Sequence, residues 1–143
     1  MFNFLPLNFL NIEQVNIFVT FILLGLIWVV QLVHYPSFQY IKEDEFVKFE
    51  KFHTLRIALL ATPLMLLEVL LGATLIYVSN FSIKFIVAFL FVIAIWISTF
   101  MLSVPCHKKL LQGKDVSIIK RLVATNWLRT FFWTAKSYLL VIW

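Results

Sequence analysis

IALLATPLMLLEVLLGATLIYV, residues 57–78, carries a single charge, Glu68, in 22 residues. A helix rising about 1.5 Å per residue needs roughly 20 such residues to cross the hydrocarbon of a bilayer. Lipid offers no hydrogen bonds to an open backbone, so only helices and closed barrels span it. The stretch shows no strict apolar–polar alternation and is too long for a barrel strand. It therefore reads as a membrane-spanning helix.

Three further apolar runs lie around it, at about residues 15–33, 85–104 and 118–142. Together they predict an all-α fold: a membrane-embedded four-helix bundle forming one domain over residues 1–143. Composition agrees. The chain is 62% hydrophobic and 13% charged, whereas a soluble domain is about half apolar and a quarter charged.

The loops set the orientation. Lys42, Lys48, Lys51 and Arg56 lie in or beside the first loop, and Lys108, Lys109, Lys114, Lys120 and Arg121 lie around the third. The opposite side has Lys84, with Lys136 near the end of the last run. Lys and Arg are retained on the cytoplasmic side. Both long loops are thus expected in the cytoplasm and both termini in the periplasm of a bacterial inner membrane. The net charge of +5 then marks topology. No basic face interleaved with aromatics accompanies it, so nucleic acid is not an expected partner.

The connectors carry finer expectations. Phe38, Ile41, Phe49 and Phe52 fall on one helical face, with Glu43, Asp44, Glu45 and Glu50 among them. After a break at Pro36 this pattern predicts a short interfacial helix between helices one and two. Pro105 is expected to end helix three, and Asp115 or Ser117 to cap helix four. The start, MFNFLPLNFLNIEQ, lacks the cationic region and cleavage site of a signal peptide and suits a segment lying at the interface. The lone cysteine, Cys106, excludes an intramolecular disulfide. Lys108 and Lys109 beside it would favour a reactive thiolate, although a small interfacial residue is the plainer reading.

Charge within a span is costly, faces the bundle interior and usually has a partner. Glu68 is the one acid deep in an apolar run. Arg129 lies as far beyond Ile118 as Glu68 lies beyond Ile57, roughly 16 Å in each case. A Glu68–Arg129 pair is the expectation, and Gly72, one turn from Glu68, would admit a neighbouring helix or ligand. Asn126, Thr130, Trp133 and Ser137 form one stripe on helix four, flanked by Arg129 and Lys136. Helix one adds Trp28, Gln31 and Tyr35, and helix three adds Trp96, Thr99 and Ser103. Such stripes either join helices by hydrogen bonds or line a cavity. Read as a cavity, Glu68, Arg129 and Asn126 would orient substrate or move a proton, and Gln31, Tyr35, Arg56 and Trp133 would bind it.

His34, His53 and His107 are the only histidines, and the topology places all three at the cytoplasmic boundary. Three imidazoles at one level suit a transition metal, and two suit a haem iron. There is no His-x-x-x-His spacing, and amphipathic rings also sit well at interfaces without a ligand. His53 and Arg56, with His34, Tyr35 and Lys108, would alternatively hold an anionic head group.

The blocks QLVHYPSF, FHTLRI, PLMLLE, VPCHKKL and NWLRTFFW resemble a set of small bacterial four-helix membrane proteins over most of the chain. Asn126-x-x-Arg129-Thr130 is also distantly similar to a stretch of the anthrone-oxygenase-like membrane family. That similarity implies oxidation of an aromatic or lipophilic substrate inside the bundle, and it transfers no catalytic residues.

Three functions follow as expectations. The first is a metal- or haem-dependent oxidoreductase acting on a lipophilic small molecule. The second is a non-catalytic subunit or assembly factor bound to other membrane subunits or to itself. The third is a proton-coupled carrier using Glu68. All three have the lipid bilayer as solvent and partner. Only three glycines are present, and no nucleophile elbow or phosphate-cradling loop is visible.

Overall fold

Each apolar run forms a helix, and each helix continues beyond its run. The computed structural model describes residues 9–143. Residues 1–8 of the expected N-terminal interfacial segment lie outside them, and residues 9–14 form the first turns of the first helix. Helix α1 covers residues 9–40, α2 covers Glu43–Val78, α3 covers residues 83–110 and α4 covers Val116–Ile142. No strand occurs among the described residues. Three of the four helices are long and apolar enough to cross a membrane. The fourth carries the polar stripe.

The helices pack in a ring in the order α1, α2, α3, α4, each against two neighbours, with α2 and α3 the loosest pair. The bundle is apolar outside and polar at its centre. Phe18, Leu59, Leu70, Leu90, Phe131 and Tyr138 are exposed, while Asn16, Thr20, Gln31, Glu68, Asn126, Thr130 and Lys136 are buried. A water-soluble bundle has the opposite arrangement. This is the pattern of a membrane protein. On α4 the division is sharp: Asn126, Arg129, Trp133, Lys136 and Ser137 point inward, and Trp127, Leu128 and Phe131 point outward.

The two prolines do not act as expected. Helix α1 runs through Pro36 to residue 40, and α3 runs through Pro105 to Leu110. A proline lacks an N–H, and its ring clashes with the carbonyl four residues back. Both helices avoid the clash by widening to a π turn just before the proline, at Val30–His34 and at Thr99–Ser103. The wider turn is closed by the Tyr35 N–H on the Val30 carbonyl and by the Val104 N–H on the Thr99 carbonyl.

The separate interfacial helix is likewise absent among the described residues. Residues 37–40 finish α1, and Glu43–Phe52 form the first turns of α2. No glycine or proline interrupts the chain from Glu43 to Thr62, so nothing stops the helix. Its 36 residues are roughly 54 Å long, against about 30 Å of hydrocarbon. Glu43, Asp44 and Glu45 occupy its first turn, where acids complement the helix dipole. Lys114 closes the end of α1 by donating to the carbonyls of Gln39 (2.8 Å) and Ile41 (2.6 Å). Asp115 caps α4 by accepting from the Ser117 and Ile118 N–H groups. The Ser117 hydroxyl first, and then the Ile118 N–H, hold its carboxyl below the usual range. Gly72 does admit a neighbour: a Cβ there would meet the Phe89 ring of α3 at 2.8 Å.

Candidate functional site

Phe46, Glu50 and His53 recur at spacings of four and three, so they share the inner face of the protruding part of α2, and all three are buried. The π turn at the end of α1 brings His34 and Tyr35 against them. The π turn of α3 is followed one turn later by His107. Such π turns are frequent at functional sites because they re-aim the side chains that follow.

The three histidines therefore meet, as the topology predicts. His34 Nε2 lies 2.6 Å from His53 Nδ1, and the His53 and His107 rings are 5.3 Å apart. Tyr35 Oη is 3.1 Å from His107 Nε2, and Glu50 Oε1 is 2.6 Å from His107 Nδ1. Tyr35, His107 and Glu50 thus form one hydrogen-bonded chain. With Glu50 ionised, and so an acceptor only, the chain would run from the Tyr35 hydroxyl to His107 Nε2 and from His107 Nδ1–H to Glu50. Phe38 lies edge-on to both His34 and His53, and Phe49 is stacked with His53. In this apolar box each hydrogen bond is stronger than in water, and each unmet polar atom costs more. Two atoms are unmet, Glu50 Oε2 and His53 Nε2.

This is a hydrogen-bonded cluster rather than a ready metal shell. Both nitrogens of His107 are engaged, and the facing nitrogens of His34 and His53 bond each other. No three His, Cys, Asp or Glu side chains among the described residues are placed to hold a metal ion. A haem held between two imidazoles needs rings on opposite sides of a plane. The His34 and His53 rings lie 4.5 Å apart, which leaves no room for one. The His53 and His107 rings, 5.3 Å apart, are likewise too close to hold a haem between them, and the three histidines as arranged do not form a metal shell.

Beside the cluster a cleft of about 410 Å³ opens between α2 and α3. Ile57, Ala58, Ala61 and Met65 of α2 and Trp96, Phe100 and Val104 of α3 make its apolar walls. Tyr35, His107, Lys108 and Arg129 make its polar part. Several of its residues, among them Ala58, Thr62 and Phe100, also face the outside of the bundle, so the cleft opens to the surroundings between the two helices. Its volume is within the usual range for a small-molecule site.

Arg129 sits behind this cleft, 9% exposed. Its Nη1 donates to Ser103 Oγ (3.4 Å) and Asn126 Oδ1 (3.2 Å). Its guanidinium lies over the Trp133 ring at 5.4 Å and beside the Tyr35 hydroxyl. Asn126 in turn donates to Gln31 Oε1 at 2.8 Å. The sequence-predicted set of Gln31, Tyr35, Asn126, Arg129 and Trp133 thus forms one network, but Arg56 is not in it. Arg56 is exposed and lies over the Phe52 ring. Spacing of three put it near the His53 edge, but only His53 turns inward.

The expected Glu68–Arg129 pair does not form. Glu68 accepts from Lys136 Nζ at 2.6 Å and from Thr20 Oγ1 at 3.2 Å on one oxygen, and from Trp133 Nε1 at 3.2 Å on the other. Both members of this ion pair are fully buried. It crosses the bundle from α2 to the diagonally opposite α4. Lys136 lies two turns beyond Arg129, so equal depth from the apolar starts selected the wrong cation. Cys106 is buried in the core, away from the exposure a reactive thiol needs.

Sequence reasoning missed Glu50 and the pairing of Lys136. Glu50 was counted with the solvated acids of the connector, although its spacing to Phe46 and His53 puts it on their face. Lys136 is placed by the sequence beside the polar stripe as well as among the topology-marking cations, but spacing does not single it out as the partner of Glu68. The chain matches no protein-family model, no curated protein and no solved structure.

Proposed function

We propose that this chain spans a bacterial inner membrane four times, with both termini in the periplasm. On this reading it is an enzyme that binds a lipophilic molecule in the cleft between α2 and α3. It moves a proton at that molecule's polar end through Tyr35, His107 and Glu50. The observation that supports the reading is the hydrogen-bonded Tyr35–His107–Glu50 chain at the polar end of a largely apolar cleft.

A carboxylate that orients an imidazole, and stabilises it once protonated, is the common design of a histidine general base. His107 Nε2 takes the proton, either directly or through the Tyr35 oxygen, and Glu50 balances the charge formed. The apolar walls exclude water, which keeps the transfer between the partners. Glu68 is not the working acid on this reading. It borders no part of the cleft, and Lys136, Thr20 and Trp133 occupy both its oxygens. That weighs against a carrier using Glu68.

The test is ¹⁵N spectroscopy of protein labelled at histidine and tryptophan, in lipid nanodiscs. His107 is expected as the Nδ1–H tautomer, and Glu50→Gln should change its signals more than those of His34. Adding 1-dodecanol to the discs should shift His107 and the Trp96 indole together. If His107 is the Nε2–H tautomer, or is indifferent to both changes, the reading is wrong.

A further inference from the structure

Arg129 is a permanent cation, nine-tenths buried, without a counter-ion. The ion pairs among the described residues are Lys84–Glu13 and Lys136–Glu68, with His107–Glu50 a third only when His107 is protonated, and none includes it. Its neighbours are Ser103, Asn126, Tyr35 and the Trp133 ring, all neutral. A buried charge of this kind is stable only when paired. Its Nε–H has no acceptor, and neither has the Nε1–H of Trp96. Both residues line the same cleft. Thus one guanidinium with no carboxylate within ion-pair distance and two N–H donors without acceptors border one space that opens to the outside of the bundle.

We infer that the cleft takes a lipophilic acid, whose anionic oxygen is the counter-ion of Arg129. The inference rests on the proton-transfer reading and names its substrate class: an apolar body carrying a carboxylic acid, an enol or a phenol. The charges then close. The acid enters neutral from lipid and its O–H bond breaks. The proton goes to His107 Nε2 and the electron pair stays on the oxygen. The products are two neutral pairs, imidazolium with the Glu50 carboxylate and the new anion with Arg129. Neither pair leaves a net charge in the apolar interior, so the transfer avoids the cost that isolating either ion would carry. Lys108, exposed at the polar end of the same cleft, adds positive potential on the side where anions collect.

The inference is tested by equilibrium dialysis of isotope-labelled dodecanoate and 1-dodecanol against loaded nanodiscs, with protein-free discs as the blank. Wild type is expected to hold dodecanoate at least tenfold more tightly than the alcohol. Arg129→Gln should lose most of that preference and leave the alcohol nearly unchanged, whereas Arg129→Lys should keep part of it. If Arg129→Gln does not fold, Trp96→Phe and the wild-type ratio decide, and Trp96→Phe is expected to weaken dodecanoate severalfold. Equal binding of acid and alcohol by wild type overturns the inference and leaves the cleft reading standing. Binding of neither overturns both.

Discussion

Lys136→Met is expected to lower stability by about 3–5 kcal/mol, the usual cost of removing one member of a buried ion pair. Lys136 is 1% exposed and Glu68 is 0% exposed, so solvent cannot take over when the ammonium is gone. Glu68 would keep the Thr20 and Trp133 bonds, which are too few for a charge in that setting. Most of the loss reflects the abandoned carboxylate rather than a large net gain from the pair itself. The double variant Glu68→Gln with Lys136→Met should therefore recover most of it. An amide can still bond Thr20 and Trp133 without carrying a charge. Unfolding in mixed micelles measures both. A Lys136→Met protein as stable as wild type would mean the pair is not formed.

Trp133→Ala should cost a similar amount, about 3–5 kcal/mol. The ring is 2% exposed and links two parts of the molecule. Its Nε1–H donates to Glu68 Oε2 at 3.2 Å, and its face carries the Arg129 guanidinium at 5.4 Å. Trp133→Phe separates packing from polar loss. It keeps most of the volume but leaves one carboxylate oxygen without a donor, for a cost of about 1–3 kcal/mol. Trp127→Phe is the control. Trp127 is 47% exposed on the outer face of α4, so the change should stay within about 0.5 kcal/mol. If the two tryptophans respond alike, the assignment of inner and outer faces on α4 is wrong.

These residues show what the sequence made legible. Existence and order of the four helices followed from the apolar runs, because a bilayer demands length and apolarity together. Helix ends did not follow, because the protruding turns of α2 are polar outside and so leave the apolar pattern before the helix stops. Pro36 and Pro105 misled for a related reason. A proline reports a missing donor, but not whether a π turn will absorb it. The meeting of His34, His53 and His107 was visible, since topology alone puts them at one end. The partner of Glu68 was not. Glu68 lies about 25 residues beyond the start of α2, Lys136 about 20 beyond the start of α4 and Arg129 about 13. Counted from true helix starts, Lys136 is the nearer match. Counted from apolar starts, Arg129 was. The cleft was beyond reach, because it arises from the loose seating of α3 on α2, which no spacing encodes.

On the proposed reading a lipophile occupies the α2–α3 cleft with its polar end towards Tyr35, His107 and Arg129. The most direct measurement is photo-crosslinking in nanodiscs with a dodecanoic acid bearing a diazirine on its chain, mapped by peptide mass spectrometry. Saturable labelling is expected at cleft residues such as Ala58, Ala61, Phe100 and Val104, abolished by excess dodecanoate. Labelling that does not saturate, and that spreads evenly over lipid-facing positions such as Phe18, Leu70, Leu90 and Phe131, would contradict it.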